Sequence, residues 1–253
     1  MRWEEIDWCS LWEEYARDER GIEYWNQRAS TYPRAGDYGK FILSHLDLME
    51  DDTVLDVGAG TGRLAIPMAR HVRRVIALEP AEKMVEILRN ELTRHSTMNV
   101  DVLQMRWEDY SGPEVDVVVF MHSFVMKDGC DALRRALTYA RRGVYIITTV
   151  RRDVFWKELY RMRTGEEYRD GMAFPLVANM LWQMGVFPDI EIVEYTGRRD
   201  FESFESIRNF ALRVLGWNEL SHSEIKYLER YRHDGGYTVP VRLLNAIIKI
   251  EIR

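Results

Sequence analysis

Between Val54 and Gly62 the chain reads Val-Leu-Asp-Val-Gly-Ala-Gly-Thr-Gly, an apolar run that feeds directly into three glycines at alternate positions. A strand that opens into a Gly-rich turn and then a helix lets backbone approach a ligand closely at the carboxyl end of a sheet. The neighbouring sequence has the matching periodicity. Short runs rich in Val, Ile and Leu recur at Thr53–Val57, Arg74–Leu78, Asp101–Met105, Val115–Met121 and Val144–Val150, with helical patterns at Arg63–His71, Ala81–His95 and Asp128–Arg141 between them. Runs too apolar to alternate are buried on both faces, and strand alternating with helix predicts a parallel sheet with right-handed crossovers.

Three helical stretches precede this core: Trp3–Tyr15, whose apolar residues recur at three- and four-residue steps, Ile22–Tyr32, and roughly Asp37–Leu48. After Val150 the pattern loosens. Helices are expected at Val154–Met162, Phe174–Met184, Ser203–Leu215 and Ser221–Tyr231, with strands at Ile190–Tyr195 and Leu243–Ile252. Two strands arriving this late suit an antiparallel addition to a sheet edge. The expected organisation is therefore a helical cap over 1–48, a ligand-binding core over 49–150, and lid helices with the last two strands over 151–253. All three form one continuous domain.

The loop itself discriminates among nucleotide ligands. A dinucleotide fingerprint places a third glycine three residues after the second, where this chain has Arg63. Asp56, two residues before the first glycine, would repel a pyrophosphate and favour a ligand that carries positive charge. With this loop, the chain resembles the class I S-adenosylmethionine-dependent methyltransferases, whose first motif is an acid followed by Gly-x-Gly-x-Gly. Their second motif is an acid closing the second strand. Ile76-Ala77-Leu78-Glu79 supplies it, 17 residues after Gly62.

The resemblance spans about Tyr24 to Val150. It implies a doubly wound α/β fold with a mostly parallel seven-stranded sheet, an antiparallel edge strand, a helical N-terminal cap and a helical insertion. It also implies S-adenosylmethionine as cofactor, with S-adenosylhomocysteine as product, held by Asp56, Gly58, Ala59 and Gly60 and by Glu79, Pro80 and Met84 at and beyond the second strand. Carboxylate oxygens at Glu79 can accept both ribose hydroxyls. After the third strand the family usually has an acid and a small residue. Here Arg106-Trp107-Glu108-Asp109 departs from that pattern, leaving Trp107 to cover an adenine face and Glu108 or Asp109 to accept from its amine. The segment Tyr24–Tyr32 resembles the one that closes the cofactor pocket in small-molecule members, which puts Arg28 and Tyr32 near the methionine moiety.

Methyl transfer from a sulfonium is an in-line displacement that needs alignment, water exclusion and, where the acceptor carries a proton, a base. In the family the residues after the fourth strand face the transferring methyl. Here they are Met121-His122-Ser123-Phe124, and His122 is the candidate base or substrate orienter. No metal is expected. The tetrapeptide Asn/Asp-Pro-Pro-Tyr/Phe of amino-methylating nucleic-acid enzymes and the Pro-Cys of cytosine carbon methylation are both lacking. A small-molecule acceptor is therefore the leading expectation, with an RNA or protein acceptor, or a non-catalytic cofactor-binding module, as alternatives.

Composition narrows the setting. The net charge of −6 argues against a surface built mainly to grip nucleic acid, although Arg outnumbers Lys 29 to 6 and the pairs Arg141-Arg142, Arg151-Arg152 and Arg198-Arg199 are conspicuous. The apolar runs are too short to span a bilayer, and acids interrupt the N-terminal apolar residues too often for a secretion signal, so a cytoplasmic protein with no membrane partner is expected. Cys9 and Cys130 read as two separate, half-buried thiols in a reducing compartment. Four of the eight tryptophans, Trp3, Trp8, Trp12 and Trp25, fall within the first 25 residues, as if to close a cap over the ligand.

Overall fold

The computed structural model describes residues 2–16 and 21–252. The chain divides into two units, one built from residues 1–148, 172–192 and 246–253, the other from 149–171 and 193–245.

In the first unit Asp7 breaks the long N-terminal stripe. Its carboxylate accepts from the amides of Cys9 and Ser10, so Trp3–Glu5 forms a separate 3-10 turn and α1 starts afresh at Trp8–Tyr15. Helix α2 (Ile22–Arg28) runs into a 3-10 turn at Ala29–Thr31, and α3 (Asp37–Leu43) is shorter than its apolar pattern. The core follows as β1 (Thr53–Val57), α4 (Ala65–Met68), β2 (Arg74–Leu78), α5 (Glu82–Arg94), β3 (Val100–Leu103), β4 (Val115–Met121), α6 (Gly129–Tyr139) and β5 (Ala140–Val154). Helix α4 begins only at Ala65 because Gly58, Gly60 and Gly62 all hold positive φ, which keeps residues 58–62 out of a helix.

Helices α7 (Phe155–Thr164) and α8 (Ala173–Gln183), strand β6 (Asp189–Phe201), helices α9 (Phe204–Leu215) and α10 (His222–Glu229), and strands β7 (Arg232–His233) and β8 (Gly236–Glu251) complete the chain. The sheet order is β3-β2-β1-β4-β5-β8-β6, with the two-residue β7 paired antiparallel to β8 as an eighth strand. From β3 to β5 every pairing is parallel. The order reverses between β1 and β4, and that switch point is where open α/β sheets place their ligands. Strands β5, β6 and β8 extend beyond their most apolar stretches, and each has residues in both units.

Val54, Leu55, Val75, Ala77, Val117, Val118, Ile146 and Ile147 are fully buried, as a sheet covered on both faces requires. Helix α1 packs on α8 through aromatic contacts of Trp3 with Trp8 and Trp182 and a hydrogen bond from the Trp3 indole to Asn179. Cys9 and Cys130 are not separate thiols. They form a disulfide between α1 and the start of α6, an arrangement that residues 121 apart in sequence reach only through packing.

The second unit has its own core of Phe155, Trp156, Leu159, Ile207, Phe210 and Leu228. Arg163 pairs there with Glu224, which is buried and caps α10, and lies 3.7 Å over the Trp217 ring. Among the described residues no helix is long and apolar enough to cross a membrane.

One side-chain hydrogen bond ties the Gly-rich loop to the turn before it. The fully buried Thr61 hydroxyl donates to the Pro33 carbonyl at 2.7 Å, one residue from Tyr32. Thr61→Val is isosteric but leaves that carbonyl unpaired, at a cost of about 1–3 kcal/mol. Urea unfolding is expected to show a lower midpoint with an unchanged slope.

Candidate cofactor and methyl-transfer site

A cavity of about 340 Å³ opens where β1, β2 and β4 end. Its floor is Val57-Gly58-Ala59-Gly60, where the amides of Gly58 and Ala59 both donate to the Leu78 carbonyl at 2.8 Å and fold the loop across the end of β2. The next residue along β2 is Glu79. Its carboxylate accepts from the Gly60 amide at 2.9 Å and the Ala81 amide at 2.8 Å, which fixes both oxygens at the cavity wall. Burial pushes the Glu79 carboxyl up from its ordinary range, and the two amides pull the other way.

Of the residues expected to hold a cofactor, Tyr32, Gly58, Ala59, Gly60, Glu79, Pro80, Met84, Trp107, Glu108, Met121 and His122 line this cavity. Asp109 does not. Met84 packs with Ala29 and Ala81, flanked by Trp25 and Tyr32, so the 3-10 turn after α2 is held against the start of α5. Trp107 is almost fully buried. Its indole donates to the Ala132 carbonyl at 3.3 Å and its ring meets Phe120 and Tyr110, which leaves the tryptophan as a fixed side of the cavity.

Two expectations are corrected. Arg28 does not line the cavity: its guanidinium bonds the Tyr24 hydroxyl at 2.8 Å and lies over that ring, one helical turn back on α2. Asp56 lies beneath the loop. Buried at 2% exposure, its carboxylate takes the Ala65 amide in the first turn of α4, and Oδ2 has no hydrogen-bond partner among the described residues. The penultimate residue of β1 thus serves the strand-to-helix turn rather than the open space above it.

Trp25, expected in the cap, and Ser123, expected to face the methyl, line the cavity, and so do Arg63 and Lys127, to which the sequence assigned no site role. Arg63 stands three residues after Gly60, just before α4, and its guanidinium lies 4.1 Å over the Tyr38 ring. Tyr38 is buried and shares a 2.5 Å hydrogen bond with His122 Nε2, their rings stacked at 25°. His122 holds a left-handed backbone (φ 58) just past β4, with its amide on the Ile147 carbonyl. A non-glycine residue in this conformation costs roughly 1–3 kcal/mol and persists only where the surroundings impose it. The strand end, the Tyr38 bond and the Ser123 hydroxyl on the Val57 carbonyl impose it here. Residues expected to hold a cofactor and a base-capable imidazole therefore line one cavity.

Residues 54–144 match the family model of the methyltransferase domain. Over these residues, from β1 into β5, the chain is similar to that methyltransferase domain. A Haemophilus influenzae protein of uncharacterised function is 24% identical over 200 residues, 77% of this chain and 72% of that one. A probable ribosomal RNA small subunit methyltransferase A of Methanosphaera stadtmanae is 32% identical over 78 residues, 31% of this chain and only 29% of its own length. Among solved structures, a Bacillus halodurans protein provisionally named a methyltransferase superposes with a TM-score of 0.55 at 14% identity, over 85% of this chain and 99% of the other. That likeness establishes the fold alone.

Proposed function

We propose that the protein transfers a methyl group from S-adenosylmethionine to a small-molecule acceptor. The observation that carries this reading is the Glu79 carboxylate, fixed by two backbone amides at the wall of a cavity whose floor is the Gly-rich loop. The donor set fits the cofactor. Glu79 keeps lone pairs for ribose hydroxyls, Trp107 and Met84 line the cavity as apolar surface for an adenine, and Arg63 supplies a guanidinium for the methionine carboxylate in place of Arg28. The cofactor brings a methyl group on a cationic sulfur. His122, held by Tyr38, takes the proton of an acceptor hydroxyl or amine, and the cavity walls limit the water that can compete.

A small acceptor is favoured by where the arginines go. Arg142 pairs with the buried carboxylate of Asp52 and Arg152 with that of Asp170, so one arginine of each pair is engaged within the protein, while Arg141 and Arg151 make exposed pairs with Glu114 and Asp153.

Titration calorimetry with S-adenosylhomocysteine tests the cofactor reading. Arg63→Ala is expected to weaken binding about tenfold or more, the worth of a charge-assisted pair, whereas Arg28→Ala stays within about twofold. No binding to the wild type, or the reverse order of the two variants, refutes it. Methyl transfer from labelled S-adenosylmethionine into the small-molecule fraction of a cell extract, with none into RNA or protein, is the expected acceptor result. Label in RNA that falls steeply with salt would move the assignment to a nucleic-acid acceptor.

A further inference from the structure

The segment that walls the cavity beyond β4, residues 121–127, leads directly into α6, and α1 holds it there. Trp12 of α1 is 1% exposed, and its indole donates to the Met126 carbonyl at 2.7 Å. Its ring lies 5.0 Å from that of Phe124 and covers Gly129, where any Cβ would strike the indole. The Cys9–Cys130 disulfide closes the same junction covalently, four residues past Met126. The two residues differ: Cys9 is part-exposed, whereas Cys130 is buried in the first turn of the eleven-residue α6.

We propose that Cys9–Cys130 is a thiol–disulfide exchange site for a dithiol reductant, and that its state sets how firmly residues 121–127 close the cofactor cavity. The coupling to the cavity rests on the cofactor reading above. A reductant thiolate attacks the Cys9 sulfur and forms a mixed disulfide. The Cys9–Cys130 bond breaks, and its electron pair leaves on Cys130, which then takes up a proton. The second reductant thiol attacks the mixed disulfide, releases Cys9 as a thiol and leaves the reductant as its own disulfide. The amides at the start of α6 stabilise the departing Cys130 thiolate, with the Asp131 carboxylate beside it opposing and the Asp128 carboxylate occupied as the helix cap. Once the bond is open, the Trp12 contacts remain but the covalent tie of α1 to the start of α6 is lost, and local opening of 121–130 becomes easier.

The test compares the full chain, air-oxidised and treated with dithiothreitol, alongside Cys9→Ser and Cys130→Ser. Thiol titration of the oxidised protein is expected to find no free thiol, and two free thiols would overturn the proposal. Hydrogen exchange of amides 121–130, read without ligand, is expected to speed up on reduction. Both variants should match the reduced form and not respond to reductant. The dissociation constant for S-adenosylhomocysteine is expected to rise about tenfold on reduction. Unchanged exchange overturns the proposal whatever the ligand does, and faster exchange with an unchanged dissociation constant overturns the coupling. Binding by neither form refutes the cofactor reading, while exchange still decides the role of the disulfide.

Discussion

Gly58→Ala is expected to lower the affinity for S-adenosylhomocysteine by at least a hundredfold, about 2.7 kcal/mol or more in binding free energy. Two effects act together. Gly58 has φ 72, a left-handed conformation that costs an L-residue roughly 1–2 kcal/mol. The added Cβ would also overlap the Ser123 Cβ, an atom fixed to the backbone that cannot rotate aside. Ser123 in turn donates to the Val57 carbonyl, so relieving the overlap means pulling apart the ends of β1 and β4. The Gly-rich floor and the His122 wall would then move together.

Gly165→Ala separates strain from overlap. That glycine also has positive φ (74), at the C-terminus of α7, but a Cβ there meets nothing within 4 Å. It is expected to cost about 1 kcal/mol of stability and to leave cofactor affinity within twofold. Calorimetry and thermal unfolding on both variants check the pair. Equal losses of affinity in the two, or a Gly58→Ala protein that binds within threefold of wild type, would show that the loop is not the cofactor floor.

The parts of the site that sequence could reveal are those where backbone geometry admits few residue types. The turn after β1 needs glycine, and an acid at the end of β2 comes one helix and one strand later at a spacing set by their lengths. Arg28 and Arg63 show the opposite case. Both are guanidiniums within reach of the loop, and which one enters the cavity depends on where a helix starts or stops. Helix α2 gives way to a 3-10 turn after Arg28, leaving that side chain on Tyr24, while the glycines delay α4 until Ala65 and leave Arg63 at the cavity wall.

The tryptophan skew resolves in the same way. Trp3 and Trp8 belong to the junction of α1 with α8, Trp12 fastens the segment before α6, and only Trp25 lines the cavity. One-dimensional spacing placed all four in a cap but could not divide these tasks among them. The pairing of Cys9 with Cys130 depends on tertiary packing alone, and so does the Tyr38 bond that holds His122.

Asp56→Asn is expected to remove a pH-dependent loss of stability that the wild type suffers between about pH 4 and pH 7. Burial, and next the charge of Glu79, push the Asp56 carboxyl up to about 7, with the Ala65 amide opposing. Its folded value therefore lies above its unfolded value, so the unfolded chain releases the proton first. The stability contributed by the protonated group is complete below about pH 4 and is lost as pH rises through the folded value. A displacement of roughly three units corresponds to about 4 kcal/mol at its plateau above pH 7.

Asparagine keeps a carbonyl for the Ala65 amide but cannot ionise. In urea titrations at pH 4.5, 6, 7 and 8, the stability of Asp56→Asn minus that of wild type is expected to grow with pH and then level off. A difference that does not vary with pH would mean that Asp56 stays ionised throughout. In wild type, the acid that opens the first motif is then a mostly protonated structural group at slightly acidic pH. Its carboxyl group joins β1 to α4 through the Ala65 amide, and the acids that line the cavity are Glu79 and Glu108.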